Sequence, residues 1–183
     1  LSFGLPSTAL YIVVAVTAAP ALVQAGITPL AAHFFVFYFG AMSNVTPPVA
    51  LAAYTGAGIA NADPMQTSWT ALRLALPGFI IPFIIAYDPI LLLDTTDGPI
   101  DYLRLAIVVV TAIIGVYALA VGLGKFIKTR LNIVEQLAMI AVAFLLITTD
   151  QMMDVIGLAL FAVVMVIHYA RSGKKVETSN GAY

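Results

Sequence analysis

HFFVFYFGAMSNVTPPVALAAYTGAGI, residues His33 to Ile59, is the stretch whose reading decides the fold. It is long enough to cross a bilayer, whose hydrocarbon asks for about 20 apolar residues in a helix. Ser43-Asn44-Val45-Thr46-Pro47-Pro48 interrupts it near the middle. Proline has no N–H for the carbonyl four residues back, so the carbonyls of Ser43 and Asn44 are expected to lack helical partners. Thr46, preceding a proline, is pushed toward extended backbone. Unpaired backbone groups are costly in hydrocarbon, so such a break survives only inside protein or beside a polar cavity. Free carbonyls, a Thr hydroxyl and an Asn amide at that depth are the materials of a cation site in a secondary transporter. The competing structural reading is a proline kink resatisfied by a neighbouring helix or by water.

Composition points the same way. Of 183 residues, 62% are hydrophobic and 9% charged, against about 25% charged in a soluble domain. The expectation is an all-α integral membrane protein in contact with lipid. A net charge of −1 gives no basic surface for nucleic acid and no polyacidic tail. Without cysteine there is no disulfide framework, thiolate metal site or cysteine nucleophile. The chain opens on LSFGLPSTAL, with no initiator Met and no signal-peptide pattern. We read it as the C-terminal piece of a longer polypeptide, so that a site built here would be half of one.

Ahead of the decisive stretch, Gly4-Leu5-Pro6-Ser7-Thr8 precedes an apolar run from Ala9 to Val23. Ser7 or Thr8 can cap the helix that follows. The segment from Thr8 to Gly26 is marginal for a full crossing and could be one arm of a re-entrant hairpin. Pro29 suits the first turn of the next helix. That helix meets the break and resumes from Ala50 to Ala60, where Ala52, Gly56 and Ala60 have the spacing that lets helices approach closely. Residues 1–60 thus form one group. Residues 61–100 carry a turn at Asn61 to Pro64, a span from Ser68 to Leu93 with expected kinks at Pro77 and Pro82, and a polar loop from Asp94 to Pro99. Residues 101–170 hold spans Tyr102 to Leu123, Leu131 to Thr148 and Met152 to Tyr169, making about four further transmembrane helices in all. Residues 171–183 read as a disordered tail.

Charge sets the orientation. Lys125, Lys128 and Arg130 share one loop, and Arg171, Lys174 and Lys175 follow the last span. These belong on the cytoplasmic side by the positive-inside bias, placing the C-terminus there. Asp94, Asp97, Asp101, Asp150 and Asp154 then fall outside.

GLPSTALYIV, PLAAHFFVFYFGAMSNVTPPVALAAYTGAGIANADP and ALRLALPGFIIPFIIAYDPILLL, in that order, resemble the large membrane subunit of tripartite ATP-independent periplasmic (TRAP) transporters. More narrowly they are similar to the fused permeases of the TAXI branch. The resemblance covers Leu1 to Leu93, while Asp101 to Tyr169 resembles the extra C-terminal spans of those permeases. It implies a sodium-coupled, elevator-type importer of an organic anion or amino acid in a bacterial or archaeal inner membrane. An extracytoplasmic solute-binding protein delivers the solute, Na+ is the coupling ion, and no other cofactor is expected. The N-terminal part of the permease would complete the transport domain. By the same resemblance Gly4, Pro6, Ser7 and Thr8 match a hairpin tip, and residues 44–48 match the broken-helix loop facing it.

The sodium candidates are therefore Ser43, Asn44, Thr46 and the carbonyls beside Pro47, with Gly4, Pro6, Ser7 and Thr8 as cap oxygens or substrate-facing N–H groups. His33 reads as hydrogen-bonded packing, Arg73 as an interface anchor and Asp88 as a helix-end carboxylate. Glu135 and Gln136 read as caps or partners of Arg130. Trp69 and Tyr102 read as interface aromatics, as does the pair of His168 and Tyr169. An intramembrane protease is disfavoured: Tyr87-Asp88 has no GxGD partner to share a proton, and Ser7 lacks a nucleophile pattern. No GxxxxGK[ST] loop suggests nucleotide drive. A non-transporting scaffold is the remaining alternative, and it has little reason to keep polar backbone at the depth of residues 44–48.

Overall fold

Helices joined by short turns make up the computed structural model, which describes residues 7–94, 98–148 and 150–180, and the side chains of all but Ser7 and residues 172–180. Among the described residues there is no strand beyond one isolated bridge, as the all-α membrane reading requires. The chain divides into two units, Leu1–Leu105 and Ala106–Tyr183.

In the first unit, α1 (Ser7–Gln24) and α2 (Pro29–Met42) form a hairpin. Gly26 turns the chain at φ +96°, a conformation open to glycine at no steric cost. Its N–H donates to Val23 O at 3.0 Å and that of Ile27 to Leu22 O at 3.1 Å, closing α1 with a Schellman turn. Thr28 caps α2 with Pro29 at its first position, as expected for a proline there. The two helices meet through small residues, Ala15, Ala19 and Ala32, with Val36 beside them and Ile27 packed against the group.

After the break, α3 (Leu51–Ala60) runs for ten residues. Its packed face is Ala53 and Ala57, both buried. The expected seam of Ala52, Gly56 and Ala60 is instead exposed, one residue out of phase with the face that α4 (Pro64–Ala75) covers. Asp63 caps α4, its Oδ1 accepting from the Gln66 N–H at 2.7 Å. The two predicted proline kinks become a five-residue 3-10 segment, Leu76–Ile80, leading into α5 (Ile81–Tyr87). Proline removes the donor that an α-turn would use, and the tighter turn accommodates it. Phe79 and Phe83 stack on Phe39, and Phe83 also meets Phe35. In this way α2 is held between α1 and the bent span.

The division between units falls within α6 (Tyr102–Gly124). The second unit packs the rest of α6 with α7 (Ile133–Ile147) and α8 (Gln151–Asn180). Gly115 and Gly157 both lie against Leu146, and Gly122 against Ile140. Among the described residues, three segments are long and apolar enough to cross a membrane: Pro64–Tyr87, Tyr102–Gly124 and Gln151–Arg171. Within the span expected at Leu131 to Thr148 lies the shorter apolar helix α7, 15 residues or about 22 Å of helix. The tail expected to be disordered from residue 171 continues as helix to Asn180.

Candidate functional site

The break starts where α2 runs out of donors. Met42 is followed by a 3-10 turn, Ser43–Val45, then by Thr46 in extended backbone at φ −104°, ψ 120°, as its place before a proline requires. Thr46 N–H donates to Ser43 O at 3.1 Å. The expectation that Ser43 would be left with an unpartnered carbonyl is thereby corrected: a bond three residues long substitutes for the lost one four residues long.

The polar side chains turn back onto the last turn of α2. Ser43 Oγ donates to Gly40 O at 2.7 Å, Asn44 Nδ2 to Ala41 O at 3.1 Å, and Thr46 Oγ1 to Met42 O at 2.8 Å. These acceptors are not the Ser43 and Asn44 carbonyls from which Pro47 and Pro48 withdraw a helical donor, so the side chains reinforce the last turn of α2 without repairing the break itself. A hydroxyl that has given its one hydrogen still presents oxygen lone pairs, so Ser43 and Thr46 keep the capacity to ligate a hard cation. Ser43, Asn44, Thr46 and Pro47 are all half-buried.

On the far side, α3 begins at Ala50, fully buried and in the left-handed region at φ 34°, ψ 42°. No side chain caps that helix start. The first turn of α3 therefore directs backbone N–H groups and the positive end of its dipole into the break. Tyr54 Oη donates to Pro48 O at 2.7 Å and fixes the second proline against α3. Ten residues of α3 measure about 15 Å and fourteen of α2 about 21 Å, each shorter than a hydrocarbon layer of about 30 Å.

The antiparallel hairpin brings the start of α1 to the same end. Leu10 packs on Gly40, and Leu10 and Ser43 both line a cavity of about 490 Å³ between α1 and α2. Val14, Leu22, Phe35 and Phe39 form its walls. The cavity is apolar except at the Ser43 end, where alone charge can be accommodated without a large desolvation cost. Thr8, two residues before Leu10, is exposed. Gly4 and Pro6 lie outside the described residues, as does the Ser7 side chain.

Other expectations sort themselves by partner. His33 Nδ1 meets Tyr11 Oη at 2.9 Å, the packing role read from sequence. Arg73 is exposed near the end of α4. Asp88 ends its helix as expected and caps the 3-10 turn Pro89–Leu92 through the Ile90 N–H. Sequence reasoning missed its ion pair with Arg104. It also missed Tyr38, whose Oη donates to Gly78 O at 2.9 Å and ties the end of α2 to the bend of the next span. In the second unit Glu135 does cap α7, in a capping box with Asn132. The expected pairing with Arg130 is corrected, since Glu135 Oε2 lies 3.2 Å from His168 Nδ1 and 3.0 Å from Arg171 Nη2. His168 is fully buried while Tyr169 is half-exposed.

Comparison with curated proteins and with solved structures finds no match. Comparison with protein families matches residues 1–96 to the tripartite ATP-independent periplasmic transporter, DctM component. That match takes in the hairpin, the broken helix, the cavity and the bent span. This multi-pass helical membrane protein belongs to the DctM family, the permease component of TRAP-type secondary transporters.

Proposed function

We propose that the chain forms part of a sodium-coupled permease of the TAXI type, in which residues 43–48 hold the coupling ion. The observation that supports this is the junction of α2 and α3: Ser43 and Thr46 have spent their hydrogens on α2 carbonyls and keep oxygen lone pairs, and α3, a few residues on in the chain, starts with no side-chain cap. Oxygen ligands from neutral side chains and backbone suit a hard monovalent cation, and a helix N-terminus suits an anionic solute group. On this reading an organic anion or amino acid arrives from an extracytoplasmic solute-binding protein and crosses an inner membrane by an elevator motion. Sodium moving inward contributes about 2.3 kcal/mol per charge per 100 mV. The remaining part of the permease would lie N-terminal to this piece and complete the site.

A second reading, a bend that only shapes the helix, is favoured by the local bonding of all three side chains. One experiment separates the two. In the complete transporter, reconstituted with its binding protein, Thr46→Val and Asn44→Leu should raise the sodium concentration for half-maximal uptake. Unchanged sodium dependence in both variants, at normal expression, leaves the bend as the role of these side chains.

A further inference from the structure

Outside the family match, the turn between α6 and α7 is built more tightly than a connecting loop requires. Lys125 sits in the left-handed region at φ 59°, and the Leu131 N–H donates back to Lys125 O at 3.0 Å. Inside that closure Phe126 and Arg130 form an antiparallel bridge, and the Ile127 N–H donates to Thr129 O at 3.3 Å. The backbone is thus folded on itself, and it brings Lys125, Lys128 and Arg130 onto one short turn.

All three cations are exposed, and none has a carboxylate within salt-bridge distance among the described residues. The nearby acid, Glu135, is occupied by His168 and Arg171 behind the turn. Arg171 also donates to Arg130 O at 3.0 Å and so braces the turn from α8. Phe126 is 59% exposed, and Ile133 and Val134 at the start of α7 are 71% and 72% exposed. Concentrated positive charge, unpaired among the described residues, with exposed apolar side chains close in sequence and at the end of a helix long and apolar enough to span a membrane, matches an amphiphile with an anionic head.

We propose that residues 125–130 are a binding site for the headgroup of an anionic phospholipid, with Lys125, Lys128 and Arg130 on the phosphate and Phe126, Ile133 and Val134 against the acyl chains. The turn is bonded before the lipid arrives, so little loop ordering opposes binding. Basic residues at a membrane surface attract anionic lipid, and a fixed turn converts that general attraction into a site. This inference is independent of the sodium reading, and its readout does not involve transport.

The test is native mass spectrometry of the whole chain in detergent, titrated with phosphatidylglycerol or with phosphatidylcholine of the same acyl chains. Phosphatidylglycerol should be retained in preference to phosphatidylcholine. Lys125→Ala, Lys128→Ala and Arg130→Ala should each weaken it by about fivefold, the effect of one basic residue near an anionic surface. The triple variant should bind both lipids alike, and Arg130→Lys should retain most of the preference. Each side chain is exposed, and far-ultraviolet circular dichroism checks that the helices persist. Equal retention of the two lipids by the wild-type chain overturns the proposal, as does an undiminished preference in the triple variant. Displacement of phosphatidylglycerol by millimolar inorganic phosphate would assign the turn to free anions instead, and would overturn the lipid site.

Discussion

Arg104, near the start of α6, reaches back across sixteen residues to Asp88, with Nη2 2.8 Å from Oδ2. The pair is lopsided: the Asp88 side chain is 4% exposed and that of Arg104 60%. The carboxylate has surrendered its water while the guanidinium has not, so the two truncations are unequal. Arg104→Ala leaves a buried charge with the Ile90 N–H as its remaining partner, whereas Asp88→Asn keeps that cap and removes the charge. Thermal unfolding in detergent should show Arg104→Ala destabilised by about 2 kcal/mol or more. Adding Asp88→Asn should recover part of that loss in a double-mutant cycle. Strictly additive effects would mean that the pair contributes nothing.

Glu135 is the shared acceptor for His168, Arg171 and the Asn132 N–H. Glu135→Ala removes an acceptor from all three, one of them a fully buried imidazole, although Arg171 keeps Arg130 O and His168 keeps Thr129 Oγ1. The expected cost is about 3 kcal/mol in unfolding free energy. Glu135→Gln keeps an oxygen for the cap and should cost less. Equal losses for the two variants would show that side-chain volume, not the acceptor, sustains the helix pair.

A methyl group on Gly122 would stand 2.7 Å from Ile140 Cγ1 and 3.3 Å from both Gln136 O and Ile140 N. The first clash can be relieved by a rotamer change, but the other two are with backbone. Gly122→Ala should therefore destabilise the chain by about 1–3 kcal/mol, and combining it with Ile140→Ala should rescue only part. Full rescue by the smaller residue would show that α6 and α7 have room to separate.

Thr46 offers a contrast within one side chain. Thr46→Val removes the donor to Met42 O and should cost about 1 kcal/mol, while Thr46→Ser keeps it and should be close to neutral. On the proposed sodium role, only the valine variant shifts sodium dependence. A serine variant that also shifted it would move the explanation from the oxygen to the methyl group.

What could be read from sequence was local. Pro47 and Pro48 dictate a break wherever they sit in a helix, and Pro29 announces a helix start by a rule confined to one turn. The same locality explains the misses. Whether the Ser43 carbonyl finds a donor depends on a 3-10 contraction that pattern alone does not encode. Asp88 with Arg104, and Glu135 with His168 and Arg171, are joined by packing across 16 to 36 residues, which no spacing rule supplies. Ala53 and Ala57 replaced Ala52 and Gly56 as the packed face of α3 because small residues occur all around that helix, and only its neighbour selects a side.

Ala50 holds one left-handed residue between two right-handed helices. The helical path of α2 does not run on into α3 through such a joint, because the screw sense is interrupted. The roll of each half is set by its own lateral neighbours, α1 and α5 for one and α4 for the other. Substitutions on the lateral neighbours of one half therefore bear on the orientation of that half first, with Ala50 marking the boundary between them.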